Sequence, residues 1–311
     1  MNDKITVIHH SADFDGLFCR EIAKKFLPDA ELIGWDYGQP LIPMPEGIVY
    51  ILDLSPNCIA PETGAVNVPY WDRVIWIDHH KSAIEKWPAS IPGYRIDGVA
   101  ACRLAWQWFD SHKRLYHPTA GAFSVPLPSK SLFVDRQVSE PLAVRLAGEY
   151  DIWDKRDPRA EVFQFGLRSV DSGADFYEAL LQTDGVGEKA VCELLENGRL
   201  LQRYQQRNDA GMMHRSFIVE WEGLKFLALT TARCNSLTFA AKDVAETGHD
   251  ALMGYYWNGA AWNFSLYHAK HRTDLDLSKI AVKYGGGHRG ACGFRTAYLP
   301  FVQENESSTW P

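Results

Sequence analysis

Three short apolar runs in the N-terminal part of the chain each end in acids or histidines. Residues 5–8 (ITVI) give way to His9, His10, Asp13 and Asp15. Residues 48–54 (IVYILDL) carry Asp53 near their end, and residues 74–77 (VIWI) run straight into Asp78, His79 and His80. Short β-branched runs of this kind read as buried strands. A helix-like stretch at 17–27 opens at Gly16, directly after the first run. Strand, loop and helix in that order place a site, because α/β proteins bind ligands beyond the carboxyl ends of their strands. The segments between the runs are long enough to form crossovers, so a parallel sheet is the expected solution.

The residue types at those ends point to metal chemistry. An imidazole and two carboxylates on one loop (His9, Asp13 and Asp15) suit hard or borderline divalent ions. Asp53, Asp78, His79 and His80 join them, and Asp151 in the acidic-aromatic run GEYDIWDKRD is a further candidate. A pair of ions about 3.5–4 Å apart needs several carboxylates and a few imidazoles to act on phosphate oxygens, and this inventory meets that need. Each residue also has a plainer reading. Ser11 or Asp13 can cap the helix at Gly16, Asp53 can cap a strand-to-turn step, and Asp151 can be a surface helix acid with Asp154 competing for its role. Asp78-His79-His80 is harder to explain away, since three polar residues after VIWI are costly to bury without partners.

With 311 residues and 46% apolar content, the chain can build two ordinary cores, and its 11 Trp imply large buried surfaces. The formal net charge of −7 argues against coating long duplex DNA, which takes many phosphate-neutralising cations; short nucleotides at a metal centre stay open. The six Cys are scattered with no C-x-x-C pair, the pattern of a reduced, cytoplasmic chain rather than of a disulfide framework or zinc ribbon. The start MNDKITV lacks the basic and apolar parts of a signal peptide. No apolar run reaches the length of about 18 residues that spans a bilayer, so no membrane partner is expected.

Further along, the pattern predicts a strand at 31–37, helices at 99–110, 139–154, 176–182 and 187–206, and a loop at 117–130. From Ser216 the character changes. SFIVEW, LKFLALT, ALMGYYW and WNFSLYH read as strands, with turn signals at Glu222-Gly223 and Asn258-Gly259. Helices are expected at 237–247 and 277–284, the second leading into Gly285, Gly286, Gly287 and His288. Consecutive glycines let backbone N–H groups approach a phosphate or base closely; the plainer reading is a turn between helix and strand.

The set HHSADFDG, DLS, IDHH and GGGHRGACGF, in that order, resembles the DHH phosphoesterase superfamily with its DHH-associated C-terminal domain, over nearly the whole chain. The closest layout is the nanoRNase type, with YDIW and Phe165-Gly166-Leu167 as further points of likeness. The resemblance implies an α/β fold: an N-terminal parallel-sheet domain (1–186), a linker helix (187–210) and a smaller mixed-sheet C-terminal domain (211–311), with a cleft between the domains. It implies two divalent ions, manganese first and magnesium or cobalt as alternatives. His9 and Asp13 would hold one ion, Asp15, His79 and Asp151 the other, and Asp53 would bridge them. Asp78 would orient His79, and His80 would face the substrate phosphate as a catalytic group. The glycine loop with His288 and Arg289 would grip the nucleotide, with Arg233 and Asn235 as further contacts. Where the family often places an Arg after Ser-Leu, this chain has Tyr267 and His268, and His271, Arg272 or Arg233 would substitute. The implied activity is hydrolysis of short oligonucleotides or dinucleotides, with a homodimer as an allowed assembly. A cyclic-dinucleotide phosphodiesterase, a phosphoadenosine-phosphate phosphatase and a non-catalytic nucleotide binder are the alternatives.

Overall fold

The computed structural model of the protein describes residues 4–60, 73–111, 128–154, 156–170, 174–232, 234–241, 244–284 and 291–301. The chain divides into two compact units, 1–201 and 202–311. No described helix is long and apolar enough to cross a membrane.

The first unit is built on four strands: β1 (Ile5–His10), β2 (Glu31–Trp35), β3 (Ile48–Leu52) and β4 (Val74–Ile77). They lie in the order β2-β1-β3-β4, all parallel. A parallel sheet is buried on both faces, so its strands read as continuous apolar runs rather than alternating ones. Alternate residues then serve two cores. Val7, Tyr50, Leu52, Ile75 and Ile77 belong to one; Ile8, Val49, Ile51, Val74 and Trp76 belong to the other. Three of the expected strands are shorter or longer than the apolar runs suggested. β1 runs on through His9 and His10, β2 stops at Trp35, and β3 stops at Leu52, one residue before Asp53.

Helices complete the unit: α1 (Phe14–Phe26), α2 (Lys81–Lys86), α3 (Ala101–Ser111), α4 (Lys130–Val134), α5 (Leu142–Asp151), α6 (Arg159–Leu167) and α7 (Ala174–Leu180). The helix expected at 139–154 is thus shorter, with Pro141 as its N-cap rather than inside its first turn. α4 starts where a loop was expected, and α2 and α6 had no counterpart in the sequence reading. α8 (Gly185–Met213) crosses the division between the units. α1 packs through Phe18, Cys19, Ile22 and Ala23, and α3 through Cys102, Leu104, Ala105 and Trp106, onto the Val7 face of the sheet.

The second unit carries β5 (Phe217–Trp221), β6 (Leu224–Thr230), β7 (Ala251–Trp257), β8 (Trp262–His268) and β9 (Ala291–Thr296) in sequential order. β6 and β7 are parallel and the other pairs antiparallel, so the sheet is mixed. The two expected hairpin turns are present. Glu222 and Gly223 both have positive φ, as the two-residue turn between β5 and β6 requires. The Asn258 side chain accepts from the backbone N–H groups of Ala260 and Ala261. The helix expected at 237–247 is a 3-10 turn at Thr238–Ala241 and a short α9 (Val244–Thr247) among the described residues. The last helix is α10 (Ser278–Ala281), continued by a 3-10 turn at Val282–Tyr284.

Candidate metal centre

β1 delivers His9 and His10 to the carboxyl edge of the sheet, and Ser11 N–H donates to Trp35 O (3.1 Å), tying the turn to β2. Asp13 then starts α1 as its N-cap: Oδ1 accepts from Gly16 N–H at 3.0 Å. Gly16 is obligatory here, because a Cβ would lie 2.2 Å from His10 O and 2.6 Å from its Cβ. Two residues on, Asp15 is 2% exposed. Its two oxygens accept the N–H groups of Ala101 (2.8 Å) and Cys102 (2.8 Å), the free donors at the start of α3. The same carboxylate therefore anchors α3 and faces the site.

Asp53 leaves β3 with φ of +58°, a conformation that is uncommon outside glycine. Its N–H still bonds Ile77 O at 2.9 Å, so the left-handed turn re-aims the side chain without opening the sheet. Strain of this kind clusters at functional sites. At the end of β4, Asp78 is fully buried and its Oδ1 accepts from His79 N–H (2.7 Å) and His80 N–H (3.1 Å) and contacts His80 Nδ1 (2.7 Å). Asp78 was expected to orient the ring of His79; in the structure it holds the His79 backbone and the His80 ring. α5 ends on Asp151, whose Oδ2 is 3.4 Å from His79 Nε2. Asp154 instead pairs with Arg156, so of the two acids Asp151 is the one at the site.

These side chains form three groups of mutually close donor atoms: His10, Asp13 and Asp53; Asp15, His79 and Asp151; Asp53, His79 and His80. His79 Nε2 faces Asp15 (3.6 Å), Asp53 (3.4 Å) and Asp151 (3.4 Å) at once. These separations exceed ordinary hydrogen bonds. They match donor atoms disposed around a cation held at about 2.1 Å, which stand on the order of 3 Å apart.

His9 is in none of these groups. Successive strand residues point to opposite faces, and the imidazole that meets Asp13 and Asp53 is that of His10. His9 Nδ1 instead contacts the carbonyl of His10 at 2.8 Å, and burial lowers its pKa. His10 Nδ1 lies 2.9 Å from Asp13 Oδ2 and 3.5 Å from Asp53 Oδ2. It is buried, yet makes no hydrogen bond of acceptable geometry among the described residues. That is the arrangement of two donor atoms aimed at a common third point. Its Nε2 lies 3.3 Å from Asp36 Oδ1, the carboxylate–histidine pairing that orients metal-binding imidazoles. Neither His10 nor Asp36 was singled out in the sequence. The adjacent pair His9-His10 was the available signal, and strand periodicity alone does not say which face meets the site.

The electrostatics favour positive charge at this point. Burial, then the charges of Asp53 and Asp151, hold the Asp15 carboxyl well above its ordinary range. Burial lifts Asp151 to about 6, with Asp53 and Asp13 adding to it against His79. The two imidazoles supply the balance without ions: against burial, their carboxylate neighbours raise His10 to about 11 and His79 to about 10. His10 and His79 pull Asp53 down to about 2 in spite of burial. Four clustered carboxylates, two imidazoles and an orphaned ring nitrogen fit one or two divalent ions.

The expected substrate contacts stand differently. Gly285, Gly286, Gly287, His288, Arg289 and Arg233 lie outside the described residues. Asn235 spends its side-chain oxygen on the N–H groups of Leu237 (2.9 Å) and Thr238 (3.3 Å), a local turn that leaves only its amide nitrogen for a ligand. Tyr267 donates its hydroxyl to Cys234 O (3.0 Å), and His268 Nδ1 contacts Ala269 O (3.0 Å). Arg272, offered as a substitute contact, is bound by Asp274 and Asp250.

No protein-family model matches the chain, and no curated protein matches its sequence. Solved structures are similar in fold. The DHH domain of a protein described as a member of a family of ribosomal proteins superposes with a TM-score of 0.50 at 14% identity, over 94% of this chain and 82% of that one. A manganese-bound RecJ exonuclease gives 0.45 at 14% identity over 94% and 86%. The pGpG-specific phosphodiesterase PggH of Vibrio gives 0.44 at 13% over 94% and 93%.

Proposed function

For a chain that has the DHH-domain fold, we propose a metal-dependent phosphoesterase that hydrolyses short oligonucleotides or dinucleotides. The observation that supports it most is the convergence of Asp13, Asp15, Asp53, His79, Asp151 and His10, delivered by three strand ends and one helix end, with Asp53 and His79 each common to two groups. The acid-rich composition and the likeness of GGGHRGACGF to a nucleotide-gripping loop support the short nucleic-acid substrate.

Asp13, Asp53 and His10 would hold one divalent ion, and Asp15, His79 and Asp151 a second, with Asp53 between them. Such ions supply a water acidified to near neutrality and a positive seat for the phosphate oxygens; manganese is the first choice. The protein's own share is positional. The Asp15 bonds to α3 and the left-handed Asp53 keep two carboxylates fixed, so little reorganisation accompanies charge build-up on phosphorus. Asp78 Oδ1 holds His80 Nδ1 at 2.7 Å and raises the pKa of His80, which favours its protonated form. His80 would donate a proton to the departing oxygen as the ester bond breaks and water supplies the new oxygen on phosphorus.

The test is a panel of dinucleotides, longer single strands, cyclic dinucleotides and phosphoadenosine phosphate, assayed with manganese. We expect turnover highest on the short linear substrates. Asp53→Ala and His79→Ala each reduce it by on the order of 10²-fold or more while circular dichroism stays unchanged. Equal activity of either variant overturns the assignment. Tight metal binding without hydrolysis of any substrate makes the protein a binder.

A further inference from the structure

A pocket of about 230 Å³ within the first unit adjoins the candidate metal centre and extends past the proposed ligands to residues that the phosphoryl chemistry above does not use. Asp13, Asp15 and Asp151 line part of it. Its remaining wall is largely apolar, from Phe14, Leu17 and Tyr150, with two polar side chains, Gln164 and Arg168. These two are four residues apart and so share one face of α6 and its C-cap. The α6 backbone is seated tightly: a Cβ on Gly166 would lie 2.2 Å from Leu194 O of α8, which fixes how the helix presents that face.

Gln164 is the informative residue. It is 3% exposed, and its side chain lines the pocket. A ligand edge that pairs with this amide from inside the pocket is therefore favoured over one that cannot. Arg168 stacks its guanidinium over Phe165 at 5.5 Å and has no ion pair among the described residues.

The occupant follows from the wall. A second phosphate would meet Phe14, Leu17 and Tyr150 on one side and three carboxylates on the other. A purely apolar group would leave Gln164 unpaired. A nucleobase presents a flat π-face to aromatic walls and a donor–acceptor edge to an amide, the pairing by which glutamine reads bases. The pocket is below the range of roughly 300 Å³ upward that takes drug-sized ligands, a scale suited to one ring system. We propose that this pocket is a nucleobase subsite for the nucleotide whose phosphate lies at the metal centre. Gln164 pairs with the base edge and Arg168 closes the rim. This rests on the phosphoesterase reading and deepens it.

Titration calorimetry of the manganese-loaded, full-length protein with nucleoside 5′-monophosphates and with ribose 5-phosphate tests it. Both ligands carry the phosphate; only the first carries a base. We expect the mononucleotides to bind about tenfold or more tighter than ribose 5-phosphate. Gln164→Leu removes most of that ratio, and Arg168→Ala, at an exposed position that does not threaten folding, reduces it. Equal affinity of wild-type protein for both ligands overturns the subsite, as does a ratio that survives both substitutions. A parallel loss for both ligands in Gln164→Leu assigns the residue a structural role and also overturns it. Failure of the phosphoesterase reading is separate: the protein then binds no manganese, or hydrolyses no phosphodiester in any assay.

Discussion

At the scale of single residues, the site is a set of side chains that each do two jobs. Asp13 caps α1 through one oxygen and meets His10 through the other. Both readings available in the sequence, cap and ligand, hold together because a carboxylate has two oxygens. Asp53, Asp78 and His79 were legible because apolar strands that end in charge leave few structural explanations. The choice between His9 and His10 was not legible, since it depends on which sheet face closes over the site. The ring protonation of His10 and His79 yields a test. Their carboxylate neighbours raise them to about 11 and about 10, so both carry protons at pH 7 in the metal-free protein. A metal ligand must be a neutral imidazole, so ion binding expels protons and affinity rises with pH. Calorimetry of manganese binding at pH 7 in buffers of different ionisation enthalpy should show about one to two protons released per protein. Proton uptake, or none, contradicts the ligand set.

At the scale of elements, the site is assembled by contacts distant in sequence. The bonds from Asp15 to Ala101 and Cys102 join residues more than 80 positions apart, and no local pattern announces them. The sequence pattern showed that α3 exists but not what anchors it. The long, strongly periodic α8 was readily seen. α2 and α4 were missed because helices of six and five residues carry too few turns for a period to show. The element scale also separates two acids that share a metal group. In the metal-free protein, Asp15→Ala leaves two buried N–H groups at the start of α3 unpaired, a cost on the order of 2–4 kcal/mol that opposes the gain from removing a carboxyl held well above its ordinary range. Asp151→Ala removes a carboxylate that burial and its neighbours lift to about 6. Because the folded pKa is raised, the ionised form opposes folding above it. Stability tied to that group therefore falls as pH rises through about 6, and deleting the group gains on the order of 1–2 kcal/mol at pH 7. Thermal melts in chelator at pH 7 should move up more for Asp151→Ala than for Asp15→Ala, by roughly 2–4 °C per kcal/mol of difference, while both variants lose activity. An equal or larger rise for Asp15→Ala contradicts the division of labour.

At the scale of the whole chain, the candidate ligands found among the described residues all belong to the unit 1–201, and the second unit has its own cores around Phe226, Met253 and Phe264 and around Met213 and Leu229. The mixed sheet and its two hairpins were legible because Glu222-Gly223 and Asn258-Gly259 punctuate alternating runs. A ligand that binds only the folded state stabilises it by an amount set by its concentration over Kd, about 2.7 kcal/mol at a hundredfold excess. Ions held by the proposed ligand set would therefore act on the first unit. With the second unit held by apolar burial that does not depend on metal, the two should separate on heating. Calorimetric melting in chelator and then with manganese at about a hundred times its Kd should raise the transition of the first unit by roughly 5–10 °C and leave a second, metal-indifferent transition in place. His79→Ala should abolish the shift. An equal rise of both transitions would mean that the ions also stabilise residues 202–311, and the ligand set would then have to extend beyond the first unit.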